Sequence, residues 1–178
     1  MSEFSNNQIN SSQLSSLQQL DFQPLAIAYP PLHRKVSLYT TLLFVAVCAI
    51  IINQPWLTLP SKLLRLVEIA LYISAVVGLL TTLYRHIADP KKGYALREQD
   101  LSYQSGLVFR SVVTQPILRI QHVEIKRGPL ERQAGLANLQ VFSAGGAAYT
   151  FEIPGLSIQT AENIRQYILS HKDLGLHG

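Results

Sequence analysis

Two long apolar stretches dominate the first half of the chain. Residues 36–52 read VSLYTTLLFVAVCAIII and residues 66–84 read LVEIALYISAVVGLLTTLY, where Glu68 lies near the start and is interpreted as an interfacial carboxylate. A helix rises about 1.5 Å per residue, so each run, with a few flanking residues, can cross a hydrocarbon core of about 30 Å. The pattern predicts a transmembrane hairpin with spans at about 36–55 and 64–84.

The alternative is a pair of buried helices in a soluble domain. Two features oppose it: both runs are apolar around their whole circumference, and basic residues cluster on their outer flanks rather than in the connector. By the positive-inside rule, both termini face the cytoplasm. His33 and His86 belong to the same flanks and are interpreted as interfacial polar residues. The flanking cations predicted to contact the membrane surface are Arg34, Lys35, Arg85, Lys91, Lys92 and Arg97.

Polar residues fill the start of the chain. Ser, Asn and Gln dominate residues 1–23, a composition that buries too little apolar area to offset the entropy of ordering. We therefore expect residues 1–32 to form a disordered polar tail. Leucines at positions 14, 17 and 20 leave open a short helix on a partner or membrane surface.

Short strands and turns are predicted after Pro90. Alternating apolar and polar positions predict strands near residues 94–97, 101–104, 107–115, 121–127, 138–143 and 147–153. Apolar residues at helical spacing predict a C-terminal helix over 157–171. The sequence thus predicts a mainly β domain at 91–172, a bent antiparallel barrel or sandwich capped by an α-helix. A flexible C-terminus is expected at 173–178.

The stretch RIQHVEIKRGPLER, residues 119–132, concentrates charged side chains beside a Gly-Pro pair. Val123 and Ile125 alternate with polar neighbours, which predicts a strand. Gly128-Pro129 breaks that strand. The next residues, PLERQAG, have proline first and glycine last, as short helices do. The stretch is therefore interpreted as strand, break and short helix rather than as a catalytic site.

A resemblance to a known family is carried by three stretches: YALREQDLSYQSGLVFR, PILRIQHVEIKRGPLERQAGLANLQVFSAGG and FEIPGLSIQTAENIR. They resemble the bacterial pleckstrin-homology (PH) type 2 family, also called the membrane-flanked or YdbS-like family, over about residues 33–172. The resemblance implies a bent seven-stranded β-barrel capped by a C-terminal helix and usually preceded by two transmembrane spans. It supplies no catalytic residues. The positions that it implies as determinants of the fold are Gly128, Pro129, Gly135, Pro154 and Gly155.

Candidate chemistry is sparse in this sequence. The histidines are scattered through unlike predicted elements: His33, His86, His122, His171 and His177. Cys48, the single cysteine, lies inside an apolar run and is interpreted as an inert small hydrophobe. His122 shares a strand face with Glu124 and Lys126, which is typical of a solvated polar face rather than of a general base. We therefore predict a non-enzymatic protein without a cofactor or metal.

Composition and charge narrow the choice of partners. Apolar residues make up 48% of the chain and the net charge is +4, which suits a protein beside an anionic bilayer. A nucleic-acid-binding protein would present a denser basic face with interleaved aromatic residues. A second set of cations is predicted to form a ligand or partner surface near the turn after residue 127: Arg110, Arg119, Lys126, Arg127 and Arg132.

The sequence therefore predicts a multi-pass protein of the bacterial inner (plasma) membrane with a cytoplasmic PH-like domain. That domain is predicted to be an interaction or assembly module. Its predicted partners are membrane lipids and a protein, either a second PH-like membrane protein or another copy of itself, and not nucleic acid. The alternative is a domain that senses an anionic lipid or a small molecule at the cytoplasmic face.

Overall fold

The computed structural model describes residues 20–54, 59–143 and 151–175. The helices in these ranges are α1 (Tyr29–Asn53), α2 (Ser61–Ala88), α3 (Pro129–Gln133) and α4 (Ile158–Gly175). The strands are β1 (Gln23–Pro24), β2 (Gly93–Leu96), β3 (Asp100–Ser105), β4 (Ser111–Pro116), β5 (Ile120–Lys126), β6 (Leu136–Ser143) and β7 (Phe151–Ser157). Single 3-10 turns follow α2 and β4, at Asp89–Lys91 and Ile117–Arg119.

Helices α1 and α2 form an antiparallel hairpin of 25 and 28 residues. Both helices are strongly apolar, yet only 11% and 6% of their most apolar segments are buried. A core helix of a soluble protein buries such side chains, whereas a lipid-contacting helix exposes them. The predicted hairpin of long apolar helices is confirmed, and both helices extend past the predicted spans on the side of the β domain, to Tyr29 and Ala88.

Small and hydroxylated residues hold the two helices together near the β domain. Gly78 is buried, and a Cβ placed on it would overlap the side chain of Thr41. One turn further along, the Ser37 and Thr82 hydroxyls lie 3.3 Å apart. Close backbone approach at a glycine, with hydroxyls that bond across the interface, is the usual way in which helices associate inside a bilayer.

Two antiparallel sheets and α4 make up the β domain. The first sheet has the order β1-β2-β3-β4 and the second has the order β5-β6-β7. Side chains from both sheets and from one face of α4 form a single core. Its largest fully buried apolar side chains are Leu101, Ile117, Ile120, Leu136, Leu139, Ile153, Leu156, Ile168 and Val141. The predicted mainly β domain with a capping C-terminal helix is confirmed.

Strand β1, which brings the number of described strands to seven, comes from the segment before the hairpin. Gln23 pairs with Tyr94 and Pro24 with Gly93, and the Tyr94 hydroxyl donates to the Gln23 side chain at 2.9 Å. Leu25 follows and is buried in the core. Residues 20–32 were expected to be a disordered tail, but β1 completes the first sheet, Leu25 joins the core and α1 begins at Tyr29. Residues 1–19, the rest of that predicted tail, lie outside the described residues.

Two strand boundaries differ from the prediction. The strand expected from residue 107 begins at Ser111, because Gly106 (φ 95°) and the next four residues form the turn between β3 and β4. The strand expected to end at Ile153 continues to Ser157. It passes Pro154 and Gly155 as a β-bulge, where Gly155 has φ 63°. Residues 144–150, which include the connection between the strands predicted at 138–143 and 147–153, lie outside the described residues.

Candidate functional site

A buried carboxylate lies where the helix hairpin meets the β domain. Asp89 follows the last residue of α2 and is 2% exposed. Its Oδ2 lies 2.8 Å from Nδ1 of His33 on α1, and its Oδ1 lies 2.8 Å from the Lys92 ammonium. The Arg85 guanidinium also donates to the His33 carbonyl at 3.3 Å. The start of α1 and the end of α2 are therefore joined by charge-assisted hydrogen bonds to a carboxylate that is itself buried.

Lys92 extends this network to the start of α1. Its ammonium donates to the Tyr29 hydroxyl at 3.2 Å and lies 5.4 Å from the centre of the Tyr29 ring. Burial of the ammonium lowers the pKa of Lys92, but the hydrogen bond to Asp89 and the interactions with Tyr29 outweigh it, so the pKa is raised. Lys92 is therefore held in its charged form at the junction.

Tyr29 packs directly on the β-bulge of β7. Its ring covers Gly155 so closely that a Cβ on Gly155 would overlap the ring, and Ala26 donates its backbone N–H to the Gly155 carbonyl at 3.0 Å. The positive φ of Gly155 and this contact both require glycine. The IPGL sequence thus forms the surface on which the first residue of α1 packs.

The short helix α3 is linked to the same β-bulge by hydrogen bonds. The Glu131 carboxylate accepts from the Gly128 backbone N–H at 2.5 Å, which caps α3, and from the Asn138 amide at 3.3 Å. The Asn138 side-chain oxygen in turn accepts from the Gly155 N–H at 3.1 Å. These bonds connect α3, β6 and β7. The end of the domain that contacts the hairpin is therefore shaped by two sequence stretches together, GPLERQAGLAN and IPGL.

A cavity of about 350 Å³ opens at this junction. Its lining is predominantly apolar and comes from α1, α3 and the neighbouring strands. The ionisable groups among its lining residues are the carboxylates of Glu131 and Glu152, the imidazole of His33 and the phenol of Tyr29. We define the junction site as this cavity together with Tyr29, His33, Asp89 and Lys92.

Comparison with known proteins decides the family. The model of the Bacterial PH domain family matches residues 38–172, which include most of the hairpin, Asp89 and Lys92 of the junction, and the β domain from β2 onward. The chain belongs to this family. It is also 32% identical over 75 residues to the "UPF0699 transmembrane protein YdbS" of Bacillus subtilis (strain 168). That match covers 42% of this chain and 45% of the relative, so the chain spans about half of the relative's length. No solved structure matches this bacterial PH domain protein.

The family, the relative and the two apolar helices all indicate a membrane protein. With a transmembrane relative and two long apolar helices whose side chains face outward, this bacterial PH domain protein is a membrane protein. PH domains are typically non-enzymatic interaction modules. Within the residues that the structure describes, His, Cys, Asp and Glu form no group that could hold a metal ion.

The cations predicted to contact the membrane divide into two groups. Arg34, Lys35, Arg85, Lys91 and Lys92 surround the junction of this PH domain protein. The Arg34 guanidinium lies 2.5 Å from Nδ1 of His86, so these flanking residues also join α1 to α2. Arg97 does not share this position. It lies beyond the far end of β2, roughly 13 Å of strand away, and is 3.8 Å from Asp100.

The second predicted cluster is also divided. Arg127 donates to the Leu136 carbonyl at 2.9 Å, and Arg132 lies in α3, so these two flank the junction together with Lys126. Arg119 stands at the opposite end of β5, which is roughly 20 Å long. Arg110 belongs to the turn between β3 and β4 in the other sheet. The five cations therefore do not form one surface.

Sequence reasoning did not find the most tightly bonded polar group. His33 was placed at the interface, but its partner Asp89 lies 56 positions away along the chain and follows no motif spacing. The one available signal was an aspartate directly after an apolar helix, before a proline.

Proposed function

We propose that this chain is a multi-pass protein of the bacterial plasma (inner) membrane whose PH-like domain binds a protein partner at the cytoplasmic face and has no catalytic role. The cations at the domain end of the hairpin support this orientation, because basic residues remain on the cytoplasmic side. The partner is a second PH-like membrane protein or another copy of this chain.

The outer edge of β4 carries the proposal. Within the described residues, β4 pairs with β3 on one side and forms the border of its sheet on the other. Thr114 on this strand is exposed. A border strand presents free backbone N–H and carbonyl groups that a strand of another protein can pair with. Because the junction fixes the domain to the hairpin, this edge is held at a constant height above the membrane.

A site-specific crosslinking experiment tests this proposal. A photoreactive phenylalanine analogue is placed at Thr114 in the full-length protein in its native membrane, with two differently tagged copies expressed together. The matched control carries the same group at Glu162, which is exposed on α4. We expect a discrete protein adduct from position 114 and none from position 162, and tag exchange identifies self-association. The absence of an adduct at 114, or the same adducts from both positions, would contradict the proposal.

The junction cavity favours a second candidate, the sensing of a lipid or small molecule. A largely apolar cavity of about 350 Å³ beside the membrane is within the size range of ligand pockets. Arg132 is exposed on α3, which lines the cavity with its first three residues, whereas Arg119 is exposed at the far end of β5. Saturable binding of an anionic phospholipid that is weakened by Arg132→Gln, and not by Arg119→Gln, would support this candidate. Equal binding by both variants would oppose it.

A further inference from the structure

The turn between β3 and β4 exposes apolar side chains outside the helix hairpin. Residues 106–110 read GLVFR; Val108 is 75% exposed and Phe109 is 91% exposed. Gly106 has φ 95°, and a Cβ placed on it would overlap the Phe109 carbonyl, so the turn is closely wound rather than an open loop. An exposed Phe beside an exposed Val is costly in water unless another apolar phase receives them.

The strand register places this turn at the membrane end of the domain. β2 begins at Gly93, immediately after the hairpin, and runs away from it. Gly93 pairs with Gln104 and Leu96 pairs with Leu101, so β3 returns toward the hairpin. The turn continues beyond Ser105 in that direction. It therefore lies at the same end of the sheet as the start of α1 and the end of α2.

The turn projects beyond the hairpin end of the first sheet. Ser105, one residue beyond Gln104, extends past Gly93 by roughly 3.3 Å toward the end of the sheet where the 3-10 turn Asp89–Lys91 follows α2. Lys91 and Arg110 are exposed at this end and carry charges that suit anionic headgroups. Ile27, which is 94% exposed between β1 and α1, lies at the same end of the sheet.

We propose that the β3–β4 turn inserts Val108 and Phe109 into the interfacial layer of the bilayer, where Arg110 pairs with anionic headgroups. The turn then acts as a third membrane contact besides the two helices. It restricts rotation of the domain about the hairpin axis. The inference requires that α1 and α2 lie in a bilayer, and it does not depend on the proposed protein partner.

Tryptophan fluorescence in lipid vesicles tests this contact in the full-length chain. Trp56, the single native tryptophan, is replaced by Phe, and a reporter is introduced as Phe109→Trp. The matched control is Leu118→Trp, which replaces a side chain 73% exposed beyond the opposite end of β4. The vesicles contain phosphatidylcholine and phosphatidylglycerol, with and without bromine on the acyl chains.

The expected result is blue-shifted emission from position 109 that loses intensity in brominated vesicles, with water-like, unquenched emission from position 118. Val108→Trp provides a second reporter if the first variant is poorly folded. Water-like, unquenched emission at both 108 and 109 would overturn the inference. A blue shift without quenching by brominated lipid would also overturn it, because a protein, such as a second copy of this chain, would then cover the turn.

Discussion

Loss of the Asp89 side chain is predicted to destabilise the junction more than any other single truncation of a charged side chain there. The carboxylate is 2% exposed and contacts His33 and Lys92, both at 2.8 Å. Asp89→Ala leaves the Lys92 ammonium without its counter-ion in a site that is 19% exposed. Breaking a buried ion pair by removing one partner costs about 3–5 kcal/mol. Since His33 and Lys92 keep some solvent access, we expect about 3 kcal/mol, the lower end of that range.

Thermal unfolding of the full-length protein in lipid nanodiscs, followed by circular dichroism of the β domain, measures this cost. For a domain of this size, about 3 kcal/mol corresponds to a fall in Tm of roughly 12–24 °C. The matched control is Glu124→Ala. Its carboxylate is 45% exposed and lies 3.8 Å from Lys126, so we expect a change within about 0.5 kcal/mol. Asp89→Asn keeps one acceptor and loses the charge, and it should fall between these two variants.

A double-mutant cycle separates the ion pair from general packing. If Asp89 acts through Lys92, then Asp89→Ala and Lys92→Ala together cost less than the sum of the single variants, because the second truncation removes a charge already left unpaired. Strictly additive effects would refute the ion-pair reasoning. So would a Tm for Asp89→Ala that equals the Tm of the Glu124→Ala control.

Three further variants test other features of the fold. Gly155→Ala should cost about 3 kcal/mol in unfolding free energy, since the Cβ overlaps the aromatic ring packed on it, whereas Gly135→Ala (φ 68°, open space) should cost about 1 kcal/mol; equal costs would contradict the packing argument. Gly78→Leu should reduce resistance to unfolding by SDS by about 1–3 kcal/mol, since the added side chain displaces Thr41; an unchanged SDS midpoint would show that the helices do not pack there. Burial raises the pKa of Tyr103 to about 12, so its contribution is present below about pH 10 and is lost as the pH rises through about 12. The alkaline fall in unfolding free energy should be up to about 2–3 kcal/mol smaller in Tyr103→Phe, and an identical fall in both proteins would argue against this assignment.

Features determined by local pattern could be predicted from the sequence. The hairpin follows from two apolar runs, and α3 follows from Pro129 at its start and Gly135 after its end. The strands follow from alternation, because one face of each sheet is buried. The two-residue strand β1 could not be found in this way. A strand of two residues has no measurable alternation, and Pro24 argues against a strand.

The candidate site was harder to predict than the fold, because it depends on which strand ends coincide in space. Arg119 and Lys126 are close in sequence, but an extended strand places them at opposite ends of the domain. Arg97 is separated from the helix hairpin by β2 in the same way. His33 and Asp89, by contrast, are distant in sequence and come together only because the hairpin returns the chain to its starting level.

The order of elements has a mechanical consequence for the hairpin. β1 precedes α1 and β2 follows α2, yet the two strands are neighbours in one sheet, so their backbones lie about 4.8 Å apart. Both domain-side ends of the hairpin are thus attached to the same sheet, and the hydrogen bonds of Asp89 join them once more. A change in the tilt of one helix therefore cannot be absorbed by a flexible linker within residues 20–33 or 88–93. It must either break these bonds or move the β domain as a unit. The helix hairpin and the outer edge of β4 are therefore mechanically coupled. A change in helix tilt would move the edge at which we propose that a partner binds.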